Sequence, residues 1–181
     1  MAGERFHVVT GGPGAGKSTL IEALAVLEYP HMPEAGRAII RDQVEICGQA
    51  LPWADRPAFA ELMLSWELRS YRAAAAYAGP VLFDRGVPDV VGYLRLVGAR
   101  VPEHVERAAR LFRYHRRVFV APPWPEIFAR DAERKQTLEE AEATYHAVSG
   151  AYRDFGYELV EVPRVPMPKR VAFVRRLIDI V

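Results

Sequence analysis

Apolar residues follow two alternating patterns along this chain. Short apolar runs at 6–10, 30–33, 81–84, 117–121 and 157–162 are separated by stretches in which apolar side chains recur every three or four positions. The short runs fit strands buried in a sheet, and the longer stretches fit helices with one face on a core. The first helical stretch covers about 16–27, with Leu20, Ile21, Leu24 and Ala25 in phase. A second follows Glu34, with apolar positions Ala38, Ile39, Val44 and Ile46, and Pro52 interrupts it. The longest covers about 54–77, and its stripe of Phe59, Leu62, Met63 and Trp66 is expected to face the core. Gly79-Pro80 breaks it. Further helices are expected at 88–97, 103–114, from about 125, at 138–155 and at 169–180, with Pro163, Pro166 and Pro168 marking a loop before the last.

This alternation predicts an α/β fold: a parallel sheet with helices on both faces. In such sheets ligands collect at the carboxyl ends of the strands. The residues just past each strand therefore carry the functional information.

Length and composition narrow the setting. A chain of 181 residues is expected to form one domain, 1–181, with a full core. The formal net charge of +1 argues against a nucleic-acid partner, leaving room only for a local basic groove. The single cysteine, Cys47, rules out an internal disulfide and a multi-cysteine zinc site. Cys47 lies in a helical pattern and reads as a small buried apolar group. No signal-peptide core and no bilayer-length apolar run is visible, so no membrane partner and a cytoplasmic setting are expected.

The chemistry starts after the first strand. Gly11-Gly12-Pro13-Gly14-Ala15-Gly16-Lys17-Ser18-Thr19 contains G-x-x-x-x-G-K-[ST] in full, between an apolar run and a helical pattern. That is the context a phosphate-binding loop requires. Its glycines let backbone N–H groups turn inward. The helix beginning near Gly16 aims its positive end at the phosphates. Lys17 can reach the β and γ oxygens, and Ser18 can place a hydroxyl on magnesium. ATP and Mg2+ are the expected cofactors, with GTP as the alternative.

Three other strand ends carry charge. Asp84 follows Val81-Leu82-Phe83, the pattern of a second magnesium-site carboxylate; the competing reading is an N-cap for the next helix. Arg85 can contact phosphates or a substrate carboxylate, and Gly86 permits close backbone approach. Glu34 follows the second strand, where a carboxylate could orient an acceptor hydroxyl and take its proton. Alternatively it is a solvated first-turn glutamate paired with Arg37. Arg130 and Arg134 share one helix face beside Lys135; they could close over the transferring phosphoryl group, or pair with Glu126 and Asp131 at the surface. Glu67, Arg69 and Arg72 on the longest helix are weaker candidates for an acceptor site.

These segments resemble a known group. GGPGAGKST, PEAGRAIIRDQ, FDRG, ARDAERKQTLEEA and GYELVEVP are similar to a bacterial family of predicted ATPases carrying an AAA domain, in the nucleoside- and nucleotide-kinase branch of P-loop proteins. The resemblance covers nearly the whole chain. It implies a three-layer P-loop kinase-like fold, a five-stranded parallel sheet of order 2-3-1-4-5, and a helical lid at about 123–140. It implies that Asp84-Arg85 matches the Asp-Arg pair of nucleoside kinases. Glu34 would match their carboxylate after the second strand, and Arg130 or Arg134 their lid arginines. The loop after the fifth strand would edge the nucleotide base.

Magnesium- and ATP-dependent phosphoryl transfer to a small-molecule acceptor, a nucleoside, nucleotide or related metabolite, is the leading reading. The alternatives are an ATP-hydrolysing regulatory module and a kinase of nucleic-acid ends. Ring ATPases carry Asp-Glu after the strand, whereas Asp84 is followed by Arg85; a guanine-reading Asn-Lys-x-Asp is absent.

Overall fold

A computed structural model describes residues 2–128 and 137–179. A short 3-10 turn, Ala2–Arg5, leads into β1, Phe6–Gly11. Then come α1 (Lys17–Ala25), β2 (His31–Met32), α2 (Ala35–Glu45) and α3 (Arg56–Ala73), which ends in a 3-10 turn at Ala74–Ala76. After these lie β3 (Val81–Asp84), α4 (Val87–Leu96), α5 (Glu103–Leu111) and β4 (Arg117–Ala121). The chain closes with α6 (Pro125–Phe128), α7 (Leu138–Asp154), β5 (Glu158–Glu161) and α8 (Met167–Ile178).

All five strands are parallel, in the order β2-β3-β1-β4-β5. Because strand side chains alternate, each strand supplies two cores. Phe6, Val8, Val81 and Phe83 face one layer, packed on residues of α3, α4, α5 and α7. Val9, Leu82 and Phe119 face the other, packed on Leu20, Ile21 and Leu24 of α1 and Val174 and Ile178 of α8. The three-layer architecture and strand order match the expected P-loop kinase-like fold.

Local chemistry sets several helix ends. Asp55 caps α3 by accepting from Ala58 N at 2.9 Å, with Pro57 in the first turn. Thr137 and Glu140 form a reciprocal capping box on α7, with bonds of 3.1 and 2.8 Å. By contrast, α1 begins after Gly16 with no side-chain cap. Its first N–H groups are left for a ligand.

Some expectations are corrected. Cys47 is exposed and sits just past α2 with φ of 54°, a left-handed turn rather than a helix interior. Val44 and Ile46 are likewise 56 and 68% exposed, because α2 buries only Ala35 and Ile39. Leu62 lies at the margin of the α3 stripe, on the exposed side. No helix among the described residues is long and apolar enough to cross a membrane.

Candidate active site

The phosphate loop joins β1 to α1. Gly11, Gly14 and Gly16 have φ of 132°, 78° and 72°, conformations that side-chain-bearing residues rarely adopt. At Gly12 the constraint is space: a Cβ there would lie 2.2 Å from the carbonyl oxygen of Ala141, so the loop packs directly on α7. Lys17 is buried, and its Nζ donates to the Gly12 carbonyl at 2.7 Å, curling back over the loop. Burial first, then Arg85, lower its pKa to about 8.

The β1–β3 register sets Val9 opposite Asp84, which brings the end of β3 beside the loop. Ser18 Oγ donates to Asp84 Oδ2 at 3.1 Å. Asp84 Oδ1 is buried and has no hydrogen-bond partner among the described residues. Burial, then Glu34, raise its pKa, with Lys17 and Arg85 opposing. Asp84 is therefore not a helix cap; Gly86 holds the N-cap position of α4. A hydroxyl and an orphaned carboxylate oxygen at this spot suit a hard cation or its water. Among the described residues no cluster of three or more His, Cys, Asp or Glu could hold a metal alone. Magnesium fits that donor set, since it takes one or two protein oxygens and relies on substrate phosphates for the rest.

Arg85 is the hub of the charged cluster beside the loop. It has a left-handed φ of 77°, uncommon for a residue with a side chain, and its backbone N–H donates to Val9 O at 3.1 Å. Its guanidinium meets Glu34 Oε1 at 3.3 Å through Nε and Asp89 Oδ1 at 3.0 Å through NH1. Burial would lower its pKa, but Glu34, Asp89 and Asp84 outweigh that and raise it. Glu34 also pairs with Arg37 at 3.4 Å, so that expected pairing is present without excluding the site role. For Glu34, burial pushes the pKa up, yet Arg85, Lys17 and Arg37 hold it below the ordinary carboxylate value. Glu34 is an ionised carboxylate at neutral pH.

Asp89 belongs to none of the motifs above, yet it ties the site together. Its carboxylate accepts from Thr10 Oγ1 at 2.5 Å, Tyr152 OH at 2.7 Å, Gly86 N at 3.0 Å and Arg85. An acidic residue three positions past Gly86, in a Gly-x-Pro-Asp helix start, is the signal that could have revealed it.

One cavity of about 500 Å3 brings most of these groups together; Asp84 is not in its lining and meets it through Ser18. Pro13, Gly14, Gly16, Lys17, Ser18 and Thr19 line its phosphate end. Glu34, Arg85 and Asp89 line it too, as do Phe59, Met63, Tyr93 and Glu67. Glu67 is 4% exposed, and burial, then Asp89, push its pKa well above the ordinary value. Its surroundings favour the protonated form, which can donate a hydrogen bond. Tyr93 OH is buried without a partner. Gly11, Gly12 and Ala15 shape the loop from behind rather than lining the cavity. Arg69 and Arg72 are exposed, with Arg72 stacked on Phe112 at 5.5 Å, so of the three α3 candidates only Glu67 reaches the site. Arg130 and Arg134 lie outside the described residues. Arg164, after β5, lines a separate cavity of about 400 Å3 with Tyr145 and His146.

A protein-family model described as an AAA domain matches residues 6–170. The chain belongs to this AAA-domain family. Curated proteins gave no sequence match. Many solved structures share the fold. Deoxyadenosine kinase from M. mycoides, with products dCMP and a flexible dCDP bound, aligns with a TM-score of 0.70 at 12% identity, covering 97% of this chain and 100% of that one. Thymidylate kinase from Ehrlichia chaffeensis gives 0.65 at 11%, covering 98 and 100%. NadR protein in complex with NR gives 0.71 at 16%, over 99% of this chain and 53% of that one. At these identities the likeness establishes a shared P-loop kinase fold. With the family match, it sets the chain among P-loop proteins of kinase or ATPase architecture.

Proposed function

We propose that this member of the AAA-domain family is a kinase that moves the γ-phosphoryl group of ATP to a hydroxyl of a nucleoside-like small molecule. The observation that carries this reading is that one 500 Å3 cavity is lined by Lys17 and Ser18 and also by Glu34, Arg85, Phe59, Tyr93 and Glu67. A hydrolytic module needs room for water at the γ-phosphate; a slot of this size, with apolar side chains in its lining and unpaired polar tips, suits a second molecule. The named structural neighbours are consistent with a nucleoside or nucleotide acceptor.

The loop N–H groups and Lys17 hold the phosphates. Ser18 and Asp84 would hold magnesium, which supplies charge neutralisation at the β and γ oxygens. The acceptor's ring stacks among Phe59, Met63 and Tyr93, with Glu67 and Tyr93 OH reading its polar edge. Its hydroxyl reaches Glu34. As the new O–P bond forms and the bridging O–P bond of ATP breaks, the hydroxyl proton passes to Glu34 and ADP leaves. Because Arg85 keeps Glu34 ionised, the carboxylate is ready to accept; the proton moves late, as a loose transition state allows. A carboxylate at this position favours a hydroxyl over a phosphate acceptor, since a phosphate is already anionic and needs no base. Arg85, and lid arginines such as Arg130 or Arg134, would neutralise the transferring group. A cytoplasmic setting, with its supply of ATP, belongs to the same reading.

The test is ADP release from MgATP against a panel of nucleosides and their 5′-monophosphates. Stimulation by nucleosides supports the reading. Stimulation only by monophosphates would overturn the hydroxyl assignment.

A further inference from the structure

Arg170, in the first turn of α8, is 2% exposed and is the largest fully buried side chain among the described residues. No carboxylate pairs with it among those residues. Its NH2 donates to the Ala15 carbonyl at 3.0 Å, its NH1 would lie 2.8 Å from a Cβ on Gly16, and its Nε has no partner among the described residues. Its guanidinium also lies 5.7 Å from the centre of the Trp124 ring. A guanidinium stays charged, and a buried charge without a counter-ion is costly.

The contact with Ala15 has a geometric consequence. In a trans peptide the C=O and the following N–H point in opposite directions. A guanidinium drawing the Ala15 carbonyl out of the loop's rear thus directs the Gly16 N–H into the phosphate cradle. Gly16 adopts φ of 72° there, and Arg170 NH1 sits within 2.8 Å of where a Cβ would stand.

We propose that Arg170 is a positioning residue for the nucleotide, locking the Ala15–Gly16 peptide with its N–H toward the β-phosphate, and that the bound polyphosphate is the counter-charge that no described residue gives this buried guanidinium. The inference rests on the nucleotide-binding half of the functional reading and is independent of the acceptor. It gives the loop two cations on opposite sides: Lys17 on the ligand side and Arg170 behind. Burial alone lowers the Arg170 pKa, in keeping with the lack of a carboxylate partner among the described residues. Removing the charge therefore relieves the free protein while weakening its hold on phosphate.

The experiment compares the wild-type chain with Arg170→Met, which keeps much of the volume, and Arg170→Lys, which keeps the charge. Magnesium-ADP affinity is read by calorimetry, AMP affinity by competition, and ligand-free stability by thermal melting. Arg170→Met should weaken magnesium-ADP by about tenfold or more, weaken AMP less, and leave the ligand-free melting temperature unchanged or higher. Arg170→Lys should fall between wild type and Arg170→Met. If Arg170→Met does not fold, a loss in Arg170→Lys larger for ADP than for AMP still supports the role. Wild-type ADP affinity in either variant, equal losses for ADP and AMP, or a lowered melting temperature with intact ADP binding would overturn it. A wild-type protein that binds no nucleotide would contradict the functional reading itself.

Discussion

The Tyr152 hydroxyl donates to Asp89 Oδ2 at 2.7 Å, joining α7 to the start of α4 directly behind the site. The same carboxylate holds Arg85 NH1 at 3.0 Å, so the cation that lines the cavity is steadied from the core. Gly92 allows the closeness: a Cβ there would lie 2.8 Å from Val148 Cα, so α4 and α7 pack with almost no separation.

Breaking this hub should cost both stability and rate. Asp89→Asn leaves Arg85 with one carboxylate and disturbs the donors from Thr10 and Tyr152. We expect a loss of about 3 kcal/mol in unfolding free energy, from breaking a buried pair, with a fall in kcat. Tyr152→Phe should cost about 1 kcal/mol, the worth of one hydrogen bond. Denaturant melts of the two variants check the order.

Glu34→Gln should lower kcat by about 100-fold or more, the scale of a lost general base. Magnesium-nucleotide affinity should change far less, because Glu34 lies beyond the phosphate end. Steady-state kinetics alongside a nucleotide titration separates the two. An unchanged kcat removes the proposed proton acceptor.

The pKa of Lys17 makes nucleotide binding pH-dependent. Its free-protein value of about 8 lies below the ordinary lysine value of 10.5, so the unfolded chain holds more protons between them. Ligand-free stability attributable to Lys17 therefore rises as pH climbs through that window. Bound phosphates favour the charged form, so between pH 8 and 9 binding takes up protons. Calorimetry of ADP binding in buffers of different ionisation enthalpy should show this uptake, and Lys17→Ala should abolish it. The same variant should lower phosphoryl transfer by roughly 100-fold or more while keeping the fold.

Two buried groups give stability opposite slopes with pH. His7 is 2% exposed against His115, and burial, then His115, lower its pKa from 6.5 to about 3. Its neutral form is favoured in the fold, so stability falls as pH drops from 6.5 towards 3. Glu67 is the reverse: its raised pKa makes stability fall as pH rises above the unfolded value of 4.5. Glu67→Gln should flatten the alkaline side and weaken acceptor binding without weakening ADP. Melting curves across pH 3–9 for wild type and Glu67→Gln test both slopes.

Much of this was legible in the sequence. The phosphate loop is a contiguous motif whose geometry depends on local backbone freedom, so Gly11 to Thr19 could be read directly. Asp84 was readable because a carboxylate ending an apolar run falls at a strand's carboxyl end. Asp89 and Arg170 were not. Each acts across elements far apart in the chain, and a lone charge within a helix looks like a solvated one. Cys47, Val44 and Ile46 misled for a related reason: helical spacing persisted up to the turn, while the packing that would bury those residues did not.

The central claim is that one cavity brings the γ-phosphate and a second molecule's hydroxyl together at Glu34. The most direct measurement is phosphorus NMR of the protein with MgATP and a mixed nucleoside pool. The account predicts a new phosphomonoester signal that grows in step with ADP and disappears in Glu34→Gln. ADP accompanied only by inorganic phosphate, at a rate indifferent to every nucleoside, would contradict it.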